Sequence, residues 1–108
     1  MPPKKLKLRL LDSAQIDLEG IALRRMGFVG AQSARKITNK LLDSLELLRS
    51  FPEMGLRLPS PGLHAAGYRA LIVDYYLCVY RQIDEGIFVY HIADARSDYP
   101  QLLKMLPH

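Results

Sequence analysis

The sequence predicts an α+β fold, in which an antiparallel sheet is packed on one face by an N-terminal α-helical hairpin. Three patterns predict it. Residues 5–11 alternate between basic and apolar, residues from about 12 to 50 have helical spacing, and three β-like runs follow between residues 68 and 93. The expected order is β-α-α-β-β-β with an optional C-terminal helix. A chain of 108 residues holds one hydrophobic core, so residues 1–108 are expected to form a single domain.

The first strand is predicted at Lys5–Leu11, where leucines at 6, 8 and 10 share one face and basic residues share the other. A helix should follow directly. Asp12 or Ser13 is expected to cap it, with Gln15 as the capping-box partner. Its expected apolar stripe consists of Ala14, Leu18, Ile21 and Ala22, and Gly27 and Gly30 bracket the turn that ends it.

The second helix is predicted from about Ala31 to Ser50, because apolar residues recur there at steps of three and four. Pro52 should stop it. Only a few residues join the two helices, so we expect an antiparallel hairpin lying across a sheet, whose other face is less covered.

The segment from Pro52 to Gly67 contains three prolines and three glycines and is expected to be an irregular connection. Strands are predicted near Tyr68–Val73, Tyr75–Gln82 and Ile87–Ala93, with a hairpin turn at residues 83–86 between the last two. A short helix through Leu102, Leu103 and Leu106 ends the expected order.

The composition of the chain limits which partners, locations and cofactors it can have. The formal charge of +4 and pI near 9.4 permit a nucleic acid or an acidic protein as partner and require neither. Cys78 is the only cysteine, so no internal disulfide can form, and a cytoplasmic location is expected. No apolar run reaches the roughly 18 residues that span a bilayer, and we expect no export signal. The residues offer no Gly-rich phosphate loop and no metal-ligand spacing, so no metal or organic cofactor is expected.

Five short motifs, in this order, cover most of the chain. They are Ala14-Gln15-Ile16-Asp17-Leu18, Phe51-Pro52-Glu53-Met54-Gly55, Gly67-Tyr68-Arg69, Val79-Tyr80-Arg81 and Ala95-Arg96-Ser97-Asp98-Tyr99. Together they resemble the RelE/ParE superfamily of toxins from bacterial type II toxin–antitoxin modules. The Phe-Pro-x-Met-Gly and Gly-Tyr-Arg motifs and the long helical hairpin are more similar to the ParE-like branch.

The resemblance implies a RelE/ParE-like fold and a toxin that inhibits growth through an essential intracellular target. ParE proteins act on DNA gyrase, whereas RelE proteins are ribosome-dependent mRNA endoribonucleases. The first expectation is therefore a ParE-like toxin that acts on gyrase. Two alternatives are a metal-independent endoribonuclease acting on ribosome-bound mRNA and a non-toxic module that only binds an antitoxin.

For the nuclease alternative, the resemblance implies catalytic roles for Arg69, Arg96 and Tyr99. Arg69 takes the place of the first lysine of the RelE sheet, and Arg96 and Tyr99 remain as phosphate clamp and acid. The sequence departs from that pattern where Leu71 and Leu77 replace a lysine and an arginine. Since one oxyanion donor contributes roughly 3 kcal/mol, we expect the loss of two cations to remove several kcal/mol of transition-state stabilisation, which argues against a RelE-type mechanism.

Structural interpretations compete with these roles. Arginines at the rims of sheets commonly pair with nearby carboxylates; the candidates here are Asp74, Asp84, Asp94 and Asp98. We favour that interpretation for Arg81 and leave Arg69 and Arg96 open. His91 is expected to be a half-buried structural histidine rather than a general base.

The expected partner is a cognate antitoxin, in a hetero-oligomer with the toxin. The resemblance implies that an extended or helical C-terminal segment of the antitoxin wraps the toxin and often adds a strand to an open sheet edge. We assign that contact to the strand Lys5–Leu11 and to the helical hairpin.

Overall fold

The computed structural model describes residues 5–96 and 99–107, and for Tyr99, Pro100 and Leu102 it describes the backbone alone. Nine elements follow one another in this part of the chain. They are β1 (Lys7–Leu10), α1 (Asp12–Val29), α2 (Ala31–Leu47), β2 (Leu56–Arg57), α3 (Pro61–Ala65), β3 (Tyr68–Val73), β4 (Tyr76–Ile83), β5 (Gly86–Asp94) and α4 (Tyr99–Lys104). The predicted helical hairpin followed by a sheet is confirmed.

The five strands form one sheet in the order β1-β5-β4-β3-β2. The predicted strands β3, β4 and β5 form an antiparallel meander. At one edge, β1 pairs with β5 in parallel. The sheet is thus mixed at one edge, because the first strand lies beside the last rather than beside its neighbour in sequence.

The predicted cap of α1 is wrong. Leu11 occupies the N-cap position, and no side chain caps the helix. Ser13 Oγ instead donates a hydrogen bond to the carbonyl oxygen of Tyr90 (2.6 Å), and Gln15 Nε2 donates to that of Leu10 (2.9 Å). Only Leu11 separates β1 from α1, so carbonyl groups of the sheet lie within reach of these two side chains. Their hydrogen bonds join the start of α1 to the sheet.

A single residue, Gly30, separates α1 from α2. Its φ of 104° lies in the region that favours glycine. The Gly30 N–H donates to the carbonyl oxygens of Arg25 and Met26 (3.2 and 3.1 Å), which closes the end of α1. α2 ends at Leu47, three residues before the predicted end, and Leu48 N–H donates to Leu45 O in a tighter turn.

The connection predicted to be irregular contains two short elements. β2 extends the sheet beyond β3, pairing Leu56 with Ala70 and Arg57 with Arg69. α3 begins at Pro61, which suits the first turn of a helix because its missing N–H would have no partner there. Sequence reasoning missed both, because prolines and glycines mark the turns around such short elements more strongly than the elements themselves.

The buried apolar residues form two cores on opposite faces of the sheet, rather than the one core expected from the chain length, because helices and the C-terminal segment cover both faces. Among the residues whose side chains are described, the larger contains fourteen buried residues and joins the sheet to α1 and α2; it includes Leu41, Leu45, Tyr80 and Val89. The smaller contains eight, among them Leu63, Tyr68 and Leu106, and lies under α3 and the C-terminal segment. This difference in size agrees with the expectation of a less covered second face.

Candidate functional site

Arg69 holds the loop that follows α2. It lies on β3, and its Nη1 donates to the carbonyl oxygens of Gly55 (2.8 Å) and Glu53 (3.3 Å). Opposite it on β4, Tyr80 Oη donates to Pro52 O (2.7 Å) and accepts from Gly55 N (2.9 Å). Burial raises the pKa of Tyr80, so its hydroxyl stays protonated. Arg69 is therefore bonded to backbone carbonyls rather than to a carboxylate.

Arg96 forms the carboxylate pair that the structural interpretation anticipated. Its Nε and Nη2 donate to the two carboxylate oxygens of Asp94 at 3.0 and 2.7 Å, and its guanidinium carbon lies 4.5 Å from the centre of the Tyr75 ring. These hydrogen bonds lower the pKa of Asp94 to about 2. The side chain of Arg96 is nevertheless exposed, so its outer side faces solvent.

The structure does not bring Arg69 and Arg96 together. Arg69 pairs with Tyr80 on β4, whereas Asp94, to which Arg96 is bonded, pairs with Tyr76. Tyr76 and Tyr80 are four residues apart along β4, which corresponds to a separation of about 13 Å. Tyr99 opens α4, but its side chain lies outside the described residues.

Leu71 and Leu77, at the places of two RelE cations, are both buried. Leu71 belongs to the core under the hairpin and Leu77 to the core on the opposite face. A cation at either position would lose its hydration without a partner. The departures from the RelE pattern are thus part of the packing on both faces.

Arg81 has a structural environment made of tyrosines. Its guanidinium lies over the rings of Tyr68 (4.6 Å) and Tyr90 (5.2 Å), and Nε donates to Tyr90 Oη (2.9 Å). Burial and the neighbouring Tyr90 raise the pKa of Tyr68 to about 12, and Tyr68 Oη donates to Pro107 O (2.6 Å). The expected structural role therefore uses aromatic partners in place of the carboxylates we had proposed.

His91 is half-buried and contacts a carboxylate of α1. Its Nδ1 lies 3.0 Å from Asp17 Oδ2, which also accepts a hydrogen bond from Ile92 N (3.0 Å). The contact joins α1 to β5, as expected of a structural histidine. Asp17 stands within a motif that the sequence had singled out, but sequence alone did not pair the two residues.

The free edge of β1 is partly occupied. Leu6 N–H donates to Arg49 O (3.0 Å), and Leu6 O accepts from Arg49 Nε (2.7 Å). At the other end of the strand, Leu10 O accepts from Gln15. The expectation that a partner adds a strand here stays a prediction, with fewer backbone groups free to bind it.

α1 exposes a row of large apolar side chains that sequence reasoning did not single out. We define the outer apolar surface by four residues that follow one another at helical steps of seven and three: Ile16, Leu23, Met26 and Val29. Leu23 is 67% exposed. Phe28 is 86% exposed as well, but it lies seven residues after buried Ile21 and therefore on the inner side of the helix. Because Ile16 and Leu23 are seven residues apart, they lie on one side of the helix, away from buried Ala14 and Ile21. An exposed apolar stripe of this kind makes the outer side of α1 a candidate interaction surface.

The described residues contain no cluster of His, Cys, Asp or Glu that could hold a metal ion. None of the helices formed by these residues is long and apolar enough to cross a bilayer. Cys78 is fully buried, and burial raises the pKa of its thiol to about 12, so it is an unreactive core residue.

Comparison with known proteins places these observations in a family. A family model described as the ParE toxin of type II toxin–antitoxin system, parDE, matches residues 8–99. A search of curated proteins gave no significant match. Among solved structures, the chromosomal ParDE TA system from P. aeruginosa is similar in fold, with a TM-score of 0.71 and 18% identity over 83% of this chain and 96% of that chain.

Proposed function

We propose that this chain, which belongs to the ParE toxin family of type II toxin–antitoxin systems, arrests growth by binding DNA gyrase in the cytoplasm. A cognate antitoxin would hold it inactive in a hetero-oligomer. In this proposal the toxin acts by binding, and no covalent chemistry is assigned to its side chains.

The outer apolar surface is the observation that carries the proposal of a binding protein. Contact with a partner would remove exposed Leu23 and Met26 from water, with a gain of roughly 25 cal/mol per Å² of apolar area before the cost of ordering the side chains. The hairpin was one of the two surfaces expected to contact the antitoxin. The positions of the arginines support binding over RNA cleavage, because Arg69 and Arg96 lie at different levels of the sheet and both have partners within the chain.

Two linked experiments test the proposal. The first induces the chain in bacteria that carry a DNA-damage reporter, with and without the protein encoded beside it in its genome. We expect growth arrest with a strong reporter signal, and recovery when the neighbouring protein is co-expressed. The second adds the purified chain to gyrase, and we expect inhibited supercoiling or trapped cleavage complexes.

Two results would contradict the proposal. Arrest with a silent reporter, and cut mRNA that disappears in Tyr99→Phe, would support the endoribonuclease with Arg69, Arg96 and Tyr99 as its site. Absence of arrest together with binding of the neighbouring protein would support the non-toxic module.

A further inference from the structure

A cleft lies between the last turns of α1 and the turn that joins β3 to β4. Its volume is about 320 Å³, and its walls include the side chains of Arg24, Arg25, Arg96, Tyr75 and Asp94. We call it the arginine cleft. Among the described residues, three guanidinium groups and one carboxylate line it, which is an excess of positive charge.

Asp94 makes the cleft a preformed site. It holds the guanidinium of Arg96 through two hydrogen bonds, and the central carbon of that group lies 4.5 Å from the centre of the Tyr75 ring. Arg24 is close enough to Asp94 to stabilise its charged form as well. Since the arrangement exists without a partner, binding would cost little ordering of these side chains.

The outer apolar surface continues into the cleft. Val29 belongs both to that surface and to the walls of the cleft, and exposed Phe28 lines the cleft beside it. Tyr75 adds a ring that is 57% exposed. Arginine and aromatic side chains around an apolar centre are typical of residues that dominate protein–protein affinity.

We propose that the arginine cleft binds an acidic segment of the antitoxin that carries an apolar or aromatic residue beside its carboxylates. The inference rests on the proposed function and adds to it the place and the chemistry of the contact. Carboxylates of the segment would pair with Arg24, Arg25 and the exposed side of Arg96. Its apolar residue would pack on Phe28.

A protein segment fits the cleft better than a nucleic acid. Exposed Phe28 and Val29 offer packing to an apolar side chain and no pairing to phosphates. Proteins that bind nucleic acid strongly make roughly 6–10 phosphate contacts along a track of cations, whereas these arginines converge on one small cleft.

The test compares two charge reversals that change the net charge equally. R24E/R96E alters exposed arginines of the cleft, and R57E/K104E alters exposed cations on β2 and α4. The probe is the purified antitoxin encoded beside this chain, with binding measured by calorimetry. We expect at least a tenfold loss of affinity for R24E/R96E and less than a threefold loss for R57E/K104E. R24Q/R96Q, which introduces no negative charge, should weaken binding in the same direction, and thermal melting checks that each variant is folded.

Equal losses for the two reversals would overturn the inference, because they would reflect net charge alone. If the unaltered chain and R24E/R96E bind equally well, the cleft is not the contact, although the proposed function stands. If the unaltered chain binds no antitoxin, the proposed function fails and the inference fails with it.

A photo-crosslinker in place of Tyr75 identifies the occupant. Mass spectrometry of the complex should show a crosslink to a segment with two or more Asp or Glu beside an apolar residue. A crosslinked segment without acidic residues would overturn the inference. So would binding of a 20-nucleotide single strand that is tighter than antitoxin binding and is lost in R24E/R96E.

Discussion

The two helices of the hairpin differ in what their outward surfaces do. α2 buries Ala34, Ile37, Leu41 and Leu45 at steps of three and four, and most of its outward positions are polar. α1 buries Ala14 and Ile21, yet it also exposes the outer apolar surface on its other side. A helix needs one apolar side to pack on a sheet. The second apolar side of α1 therefore indicates that another protein binds α1 and does not cover the outward side of α2.

The largest effect expected is on folding, from the inner side of α2. Leu41→Ala empties a fully buried position and should lower the free energy of unfolding by about 2–5 kcal/mol. The adjacent Leu42, which is 38% exposed, gives the matched control, and Leu42→Ala should cost less than about 1 kcal/mol. Urea unfolding measures both. Similar losses for the two variants would contradict the orientation of α2.

The next effect concerns the loop that follows α2. Tyr80→Phe removes the hydroxyl that bonds Pro52 O and Gly55 N, and we expect a loss of about 1–3 kcal/mol in unfolding free energy. Tyr75→Phe is the control, because the Tyr75 side chain is exposed. If Tyr80→Phe left stability unchanged, these hydrogen bonds would not hold the loop in place.

A smaller effect on folding and a clear effect on binding are expected from the outer side of α1. Leu23→Asp places a charge within the outer apolar surface and should weaken antitoxin binding at least about tenfold, or roughly 1.4 kcal/mol. Asn39→Asp, at an exposed position of α2, should change affinity by less than about threefold. Calorimetry on both variants sharpens the comparison of the helices. An equal loss of affinity from Asn39→Asp would show that the outward sides of α1 and α2 do not differ in antitoxin binding.

The smallest effect is a pH dependence at the arginine cleft. The lowered pKa of Asp94, about 2 against an ordinary value of 3.8, means that the charged form stabilises the folded state. This stabilisation is complete above the pKa that Asp94 has in the unfolded chain, and it is lost as the pH falls through the lower pKa that Asp94 has in the folded protein. NMR titration should place the Asp94 midpoint near 2, and Arg96→Gln should raise it toward 3.8. An unchanged midpoint would show that Arg96 does not hold the carboxylate.

The sequence predicted those parts of the fold that depend on local periodicity. The spacing of Ile37, Leu41 and Leu45 placed α2, and the alternation after Lys5 placed β1. The parallel pairing of β1 with β5 was not predictable in the same way, because it depends on residues at the other end of the chain. Likewise, Ser13 and Gln15 had the chemistry of capping residues, but carbonyls of the neighbouring strands took their hydrogen bonds.

The candidate site was less predictable than the fold. The pairing of Arg96 with a carboxylate was one of two interpretations left open, and Asp94, only two residues away, was among the candidates. The tyrosine partners of Arg81 and the contact between His91 and Asp17 join residues that are distant in sequence. The exposure of Leu23 and Phe28 was hidden for a different reason, because apolar residues in a helix are read first as core.

The most direct test of the central claim measures which side of the hairpin the antitoxin covers. Native Cys78 is buried and its thiol is protonated, so a cysteine introduced at position 23 or 39 is labelled by a maleimide against a silent background. We predict that the antitoxin slows labelling of Leu23→Cys at least tenfold and leaves that of Asn39→Cys unchanged. Protection of Asn39→Cys with unchanged labelling of Leu23→Cys would contradict the assignment of the outer apolar surface as the binding face.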